Sequence, residues 1–418
     1  MRVKPFPPSF YAKNRERLRK ALPPGSMALL FNGRESTRNA DQLHPFRPDS
    51  NFWYLTGIEE PSAKLLLLPW DADQAGEMLF LPSVDPKKEQ WEGRMTTLDQ
   101  GKTISGIEAV KELPGFESIL YSWQRHRDML YSEVNPVFPR QPLTSEHLYL
   151  AEIGKRLPGL QLKKIDPLMR KLRAKKQPPE IKRQREALGI MNRGLRRVMQ
   201  GLSPDMMEYQ VEAQLVHQYL DEGCDRLGFE VIVAGGENAC ILHYVENSSK
   251  LKSKDLVLID TGAEYGMYSG DITRVFPVNG KFTPPQAKAY QCVLDVNEAM
   301  ISEVKAGMSW KEISDLATKI QAKIYKKAGY ITDEKKLMEV ALHRIGHSLG
   351  LDVHDLQHPE EPLPVGAVIT IEPGIYLKDQ GIGIRIEDNV LLTKEGCEVL
   401  SQDLPKQILE IEEIMGKR

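Results

Sequence analysis

The 418 residues carry 41% apolar and 27% charged side chains, with Lys+Arg 56 set against Asp+Glu 58, an ordinary globular composition. A formal net charge of -2 supplies no global field to hold a polyanion, which excludes a polybasic nucleic-acid binder as well as a disordered chain. At about 150 residues per domain the length fits two or three domains, each able to bury a core without a disulfide or a structural metal.

The start, Met1-Arg2-Val3-Lys4-Pro5-Phe6-Pro7-Pro8, turns to proline where an export signal would place about 7 to 15 apolar residues. Ser9 to Leu22 then reads as a basic amphipathic helix closed by Pro23-Pro24-Gly25, and Met27 to Phe31 as a buried strand. Asn51-Phe52-Trp53-Tyr54-Leu55-Thr56-Gly57 predicts a strand entering a turn; Ala63 to Leu68 and Glu77 to Leu81 predict two more. Leu65-Leu66-Leu67-Leu68 is a typical apolar run here, far short of the roughly 18 residues of a membrane span. This first portion has a mixed α/β pattern. From Met169 to Lys176 the chain is strongly basic and leads into Pro178-Pro179, which reads as a solvated linker or helix face at a domain boundary. Glu180 to Gln200 predicts a helix, and Ser203-Pro204 opens another in N-cap and N1 order, running to Glu222 and closing at Gly223. Cys224, Cys240, Cys292 and Cys397 are scattered with no C-x-x-C pair, the usage of a reducing compartment. A cytoplasmic protein with neither membrane nor nucleic-acid partner is expected.

From Leu256 onward the chemistry concentrates. Asp255-Leu256-Val257-Leu258-Ile259-Asp260 is an apolar strand ending in a carboxylate, and Ser269-Gly270-Asp271-Ile272-Thr273-Arg274 returns after a turn. A hairpin symmetric about Glu264 to Met267 sets Asp260 directly opposite Asp271. A second stretch repeats the device: Val368 to Glu372 runs into Pro373-Gly374, and Ile382 to Asp388 comes back. Centring that turn on Asp379-Gln380 sets Glu372 opposite Glu387. Like charges across a strand pair are destabilising, and buried carboxylates need a compensating cation. Two such pairs imply a metal.

Between the hairpins lie His343, His347 and His354, three of the nine histidines within twelve residues. Four carboxylates plus imidazole form a mainly hard ligand set that suits Mn2+ and accepts Co2+, Fe2+ or Zn2+. Two other motifs fail on context. Gly346-His347-Ser348-Leu349-Gly350 matches the G-x-S-x-G of serine hydrolases, but no buried strand precedes it, and the last histidine, His358, follows Ser348 by only ten residues. Gly101-Lys102-Thr103 lacks the glycine that a phosphate-binding loop requires at position 96, where the chain has Thr96.

The set Asp260, Asp271, His347, Glu372 and Glu387 resembles the dinuclear site of the pita-bread metallopeptidases, which include methionine aminopeptidase, prolidase and aminopeptidase P. The likeness spans about residues 175 to 410, with Ile241-Leu242-His243-Tyr244, Gly350-Leu351-Asp352-Val353-His354-Asp355 and Ile371-Glu372-Pro373-Gly374 all in family order. Phe52-Trp53-Tyr54-Leu55-Thr56-Gly57 followed by Glu60-Pro61 is similar to the amino-terminal domain of the aminopeptidase P group more than to that of prolidase.

The resemblance implies an α+β chain: a mixed α/β domain over residues 1–172 and a pita-bread metallopeptidase domain over 173–418. It implies two divalent ions, most simply Mn2+. Asp260 would bind one, His347 and Glu372 the other, and Asp271 and Glu387 both. Such a pair lowers the pKa of bound water and polarises a scissile carbonyl. Glu372 would orient or deprotonate the water, His243 would shuttle protons, and His354 would contact substrate and steady the oxyanion. His343 and Arg385 match positions that fix the orientation of ligands. The implied substrate is a peptide with proline second, cut by a homodimer or homotetramer; the alternatives are a prolidase restricted to dipeptides and an inactive pita-bread binding protein. The loop Asp355 to Pro362 is shorter and more acidic than in many members, and the second hairpin turn is tight. Both features bear on the mouth of the site.

Overall fold

A computed structural model of the chain describes residues 2–70, 76–134 and 143–416. It forms two compact units, Pro5–Leu172 and the chain from Arg173 onward, the latter including residues 2–4. Among the described residues no helix is long and apolar enough to cross a membrane.

The first unit is built on a mixed sheet with strands in the order Val110–Glu112, Glu77–Leu81, Lys64–Leu67, Ser26–Phe31, Met129–Ser132 and Gln161–Lys164. Ser26–Phe31 is buried at every position because it is flanked on both edges and covered on both faces, which is why it shows no polar alternation. Met27, Leu29 and Phe31 join one core with Phe80, Phe116 and Trp123. The helix Pro8–Ala21 stands where the apolar spacing predicts it.

The aromatic run is a helix, Ser50–Thr56, not a strand. The Asp49 side chain accepts a hydrogen bond from the Phe52 N–H, and Gly57 ends the helix at φ 70°, so both ends are capped within nine residues. Every residue of that helix is buried, which removes the one-sided pattern by which a helix announces itself.

In the second unit the helix Pro178–Gly201 packs along Glu208–Asp221. The latter starts later than Ser203-Pro204 suggests. Asp205 and Glu208 donate their N–H groups to Leu251 O and Ser249 O, and Leu251 N–H returns to Met206 O, so the intervening residues pair with an extended segment instead of coiling. The basic run also departs from expectation. Asp166–Ala174 is helical, and although Lys171 and Lys175 are exposed, Arg173 and Lys176 are buried in ion pairs with Asp355.

Three antiparallel strands, Ile232–Gly235, Leu256–Thr261 and Ile272–Pro277, form the sheet under the site. Asp260 pairs with Thr273 and Thr261 with Ile272, so Asp271 lies two residues beyond direct opposition to Asp260. The turn centres on Gly266 and Met267, with φ of 57° and 75°, one residue later than the symmetric reading places it. A two-residue displacement preserves the face, so both carboxylates still point the same way.

The second pairing keeps its expected register. Ile371 stands opposite Asp388 and Gly374 opposite Arg385, which sets Glu372 across from Glu387 at the point where the two ladders part into separate sheets. The tip is a single 3-10 turn, Lys378–Gln380, closed by Gly381 at φ 60°.

Candidate metal centre

The two hairpins and the 343–357 segment converge on a cavity of about 680 Å³ lined by His243, Asp260, Asp271, His343, His347, His354, Glu372, Arg385 and Glu387. All nine residues singled out from the sequence therefore meet in one place. Asp271, His347 and Glu387 each offer a ligand atom, all within 4.8 Å of one another. His347 Nε2 lies 3.3 Å from Asp271 Oδ2 and 3.6 Å from Glu372 Oε1. Its Nδ1 lies 3.1 Å from the Ser348 carbonyl, a contact that fixes the ring with Nε2 turned toward the carboxylates.

Asp271, Glu372 and Glu387, crowded into so small a volume, resist ionisation together. Burial first, then the charge of Asp260, lifts Asp271 to about 6 in spite of its hydrogen bond with His347. Burial carries Glu372 to about 7 and Glu387 well above the usual carboxylate range. His347 is raised as well: burial would depress it, but Asp271 and Glu372 lift it to about 9. Oδ1 of Asp260 is buried with no hydrogen-bond partner among the described residues. An excess of buried carboxylate, a histidine turned toward it and an orphaned ligand atom together fit divalent metal.

Arg385 is the cation built into the wall. It donates from Nη2 to Asp260 Oδ2 at 2.5 Å, from Nε to Thr273 Oγ1 at 3.0 Å and from Nη1 to Tyr376 Oη at 3.0 Å. Burial disfavours its charge, yet Tyr376, Asp260 and Glu372 keep it firmly protonated. The Thr273 hydroxyl in turn donates a hydrogen bond to Glu387 Oε2 at 2.8 Å. Tyr376 Oη lies 2.8 Å from His343 Nε2, and His343 Nδ1 lies 2.8 Å from the Arg344 carbonyl. Burial and Arg385 lower His343 to about 4, so it is neutral at pH 7. The His354 ring stands edge-on to His347 at 4.3 Å, and burial followed by the charge of His347 lowers it too.

His243 is exposed at the rim, on a loop anchored behind it by a fully buried carboxylate. Glu208 accepts from Gly235 N and Asn238 Nδ2 on one oxygen, and from Tyr244 Oη and Ser249 N on the other. The serine of the G-x-S-x-G stretch has no nucleophile's setting: Ser348 is buried, and its Oγ accepts from Trp310 Nε1 at 3.3 Å. Gly346 is required for contact, since a Cβ there would sit 2.1 Å from the Thr370 carbonyl oxygen.

Sequence reasoning missed Thr273, Tyr376 and Glu208. Thr273 alone had a signal, because parity along its strand puts it on the face of Asp271.

Residues 182–394 match the model for metallopeptidase family M24, and residues 11–131 match the aminopeptidase P N-terminal domain. The chain belongs to family M24. It is 36% identical to a Haemophilus influenzae Xaa-Pro aminopeptidase, with 98% of each chain covered, and 34% identical to the Escherichia coli Xaa-Pro aminopeptidase over 97% of each. The structure of E. coli aminopeptidase P with the inhibitor Pro-Leu superposes with a TM-score of 0.89 at 32% identity, covering 99% of both chains. The chain is thus an M24 metallopeptidase, α+β in class, in which a mixed α/β domain precedes a pita-bread catalytic domain.

Proposed function

We propose that this metallopeptidase is an Xaa-Pro aminopeptidase that removes the first residue from peptides with proline second, residues 1–172 being the N-terminal domain and 173–418 the catalytic one. The observation that carries the chemistry is the convergence of four carboxylates on His347 with Asp260 Oδ1 left unpartnered. Likeness to Xaa-Pro aminopeptidases along nearly the whole chain, including the N-terminal domain, supports the substrate.

Asp260 would hold one divalent ion, His347 and Glu372 a second, with Asp271 and Glu387 shared between them; Mn2+ suits this oxygen-rich set, with Co2+, Zn2+ and Fe2+ as substitutes. When bound, such ions lower the pKa of a coordinated water and polarise the scissile carbonyl. Glu372 orients the attacking water and takes its proton on a carboxylate oxygen. His354 offers a ring N–H to the oxygen on which negative charge develops, and His243 at the rim relays protons to the departing amine. Arg385 holds Asp260 in its ligating orientation, and His343 stands beside Glu372, with Nδ1 at 3.7 Å from Oε2. A homodimer or homotetramer working in the cytoplasm completes the reading, in keeping with four free cysteines.

Removing metal with a chelator should abolish cleavage of an Xaa-Pro-Yaa peptide, and added Mn2+ should restore it. Activity indifferent to metal would sink the reading. Cleavage confined to Xaa-Pro dipeptides would make the protein a prolidase, and metal binding without cleavage of either class would make it a binding protein. His243→Ala should lower kcat while leaving bound metal per chain unchanged; a loss of metal in step with activity would remove the relay role.

A further inference from the structure

His354 sits between two carboxylates that share one cation. Arg173 Nη2 donates to Asp352 Oδ2 at 2.6 Å and to Asp355 Oδ1 at 2.5 Å, and Lys176 Nζ donates to Asp355 Oδ2 at 3.0 Å. Arg173, Lys176 and Asp355 are all buried. Backbone bonds close the same segment: Asp355 N–H reaches Ser348 O at 2.8 Å, and Gly350 N–H reaches Asp352 O at 3.1 Å. Gly350 leaves room for the ion pair, since a Cβ there would lie 2.1 Å from Asp355 Oδ2. The result is a short loop tied on both sides of the residue whose ring meets His347 at 4.3 Å.

A buried ion network costs much of its own Coulomb energy in desolvation, so it is a poor source of stability and better suited to fixing one geometry. What this one fixes is the course of the backbone on either side of His354. We infer that Arg173 and Lys176, through Asp355, are positioning residues for His354, so that the end of the basic run, where the catalytic domain begins, serves the active site. The inference rests on the role given above to His354.

The test is a double-mutant cycle on the Mn2+-loaded full chain, with an Xaa-Pro-Yaa peptide as substrate. Asp355→Asn and Arg173→Gln should each lower kcat about 10- to 100-fold with KM and bound metal per chain unchanged, and Arg173→Lys should recover part of the loss. Adding Asp355→Asn to a His354→Ala background should cost nothing further. Losses that multiply in the double variant, or a fall in bound metal equal to the fall in kcat, would overturn the inference. Where Asp355→Asn fails to fold, the milder Arg173→Lys takes its place in the same cycle. If the wild-type protein cleaves no Xaa-Pro peptide, the proposed function fails by itself. Positioning is then read from the imidazole NMR signals: a shift of His354 in Arg173→Lys with His343 unmoved supports it, and an unmoved His354 overturns it.

Discussion

Thr273 shows how much of the site depends on a single hydroxyl. It accepts from the guanidinium that holds Asp260 and donates to Glu387, linking the two hairpins behind the candidate ligands. Thr273→Val keeps the shape but leaves two buried partners unsatisfied, at about 1 to 3 kcal/mol. Affinity for Mn2+ should fall about tenfold, as titration calorimetry would read; an unchanged affinity would show the hydroxyl to be idle. At this scale the candidate ligands were legible because they contradict their surroundings: Asp260 and Glu372 end apolar runs, and three histidines crowd into one segment. Tyr376 was not, because a tyrosine in a buried strand reads as core, and its partner His343 is 33 residues away.

Among elements, the helix Ser50–Thr56 carries the clearest lesson. Aromatic residues favour strands in general, yet the caps at Asp49 and Gly57 decide this segment locally. Asp49→Ala should cost about 1 kcal/mol and lower the melting temperature, whereas Gly57→Ala should cost more. A side chain at Gly57 is strained at φ 70° and would meet the Tyr11 ring at 2.4 Å. Equal effects of the two changes would mean that the helix end is less constrained than its geometry indicates. The hairpins were legible to within two residues because strand parity survives an even displacement. The turn lies within Glu264 to Met267 as expected, but its centre at Gly266-Met267 was missed by one residue, since a methionine at positive φ leaves no mark in the sequence.

For the molecule as a whole, the metal-free centre sets the dependence of stability on pH. Asp271 at about 6, Glu372 at about 7 and His347 at about 9 all lie above their unfolded values of 3.8, 4.5 and 6.5. Groups so raised contribute stability at low pH and lose it as pH climbs through the folded values. Metal-stripped protein should therefore melt progressively lower from pH 5 to pH 9. Divalent metal takes the deprotonated ligands, so the rise in melting temperature on adding Mn2+ should grow over the same range. Scanning calorimetry with and without Mn2+ decides this, and a metal effect that shrinks with pH would contradict the protonation pattern. Asp388 acts at the acid end: burial would raise it, but Arg274 and Lys406 hold it below the usual carboxylate range, so its contribution vanishes only in strong acid. The carboxylate of Glu208 has a consequence of another kind. The amide hydrogens of Gly235 and Ser249 share it as acceptor, although a loop carrying His243 separates them along the chain. In native-state hydrogen exchange the two should trade with solvent in concert, and the rim of the cavity should open as one unit.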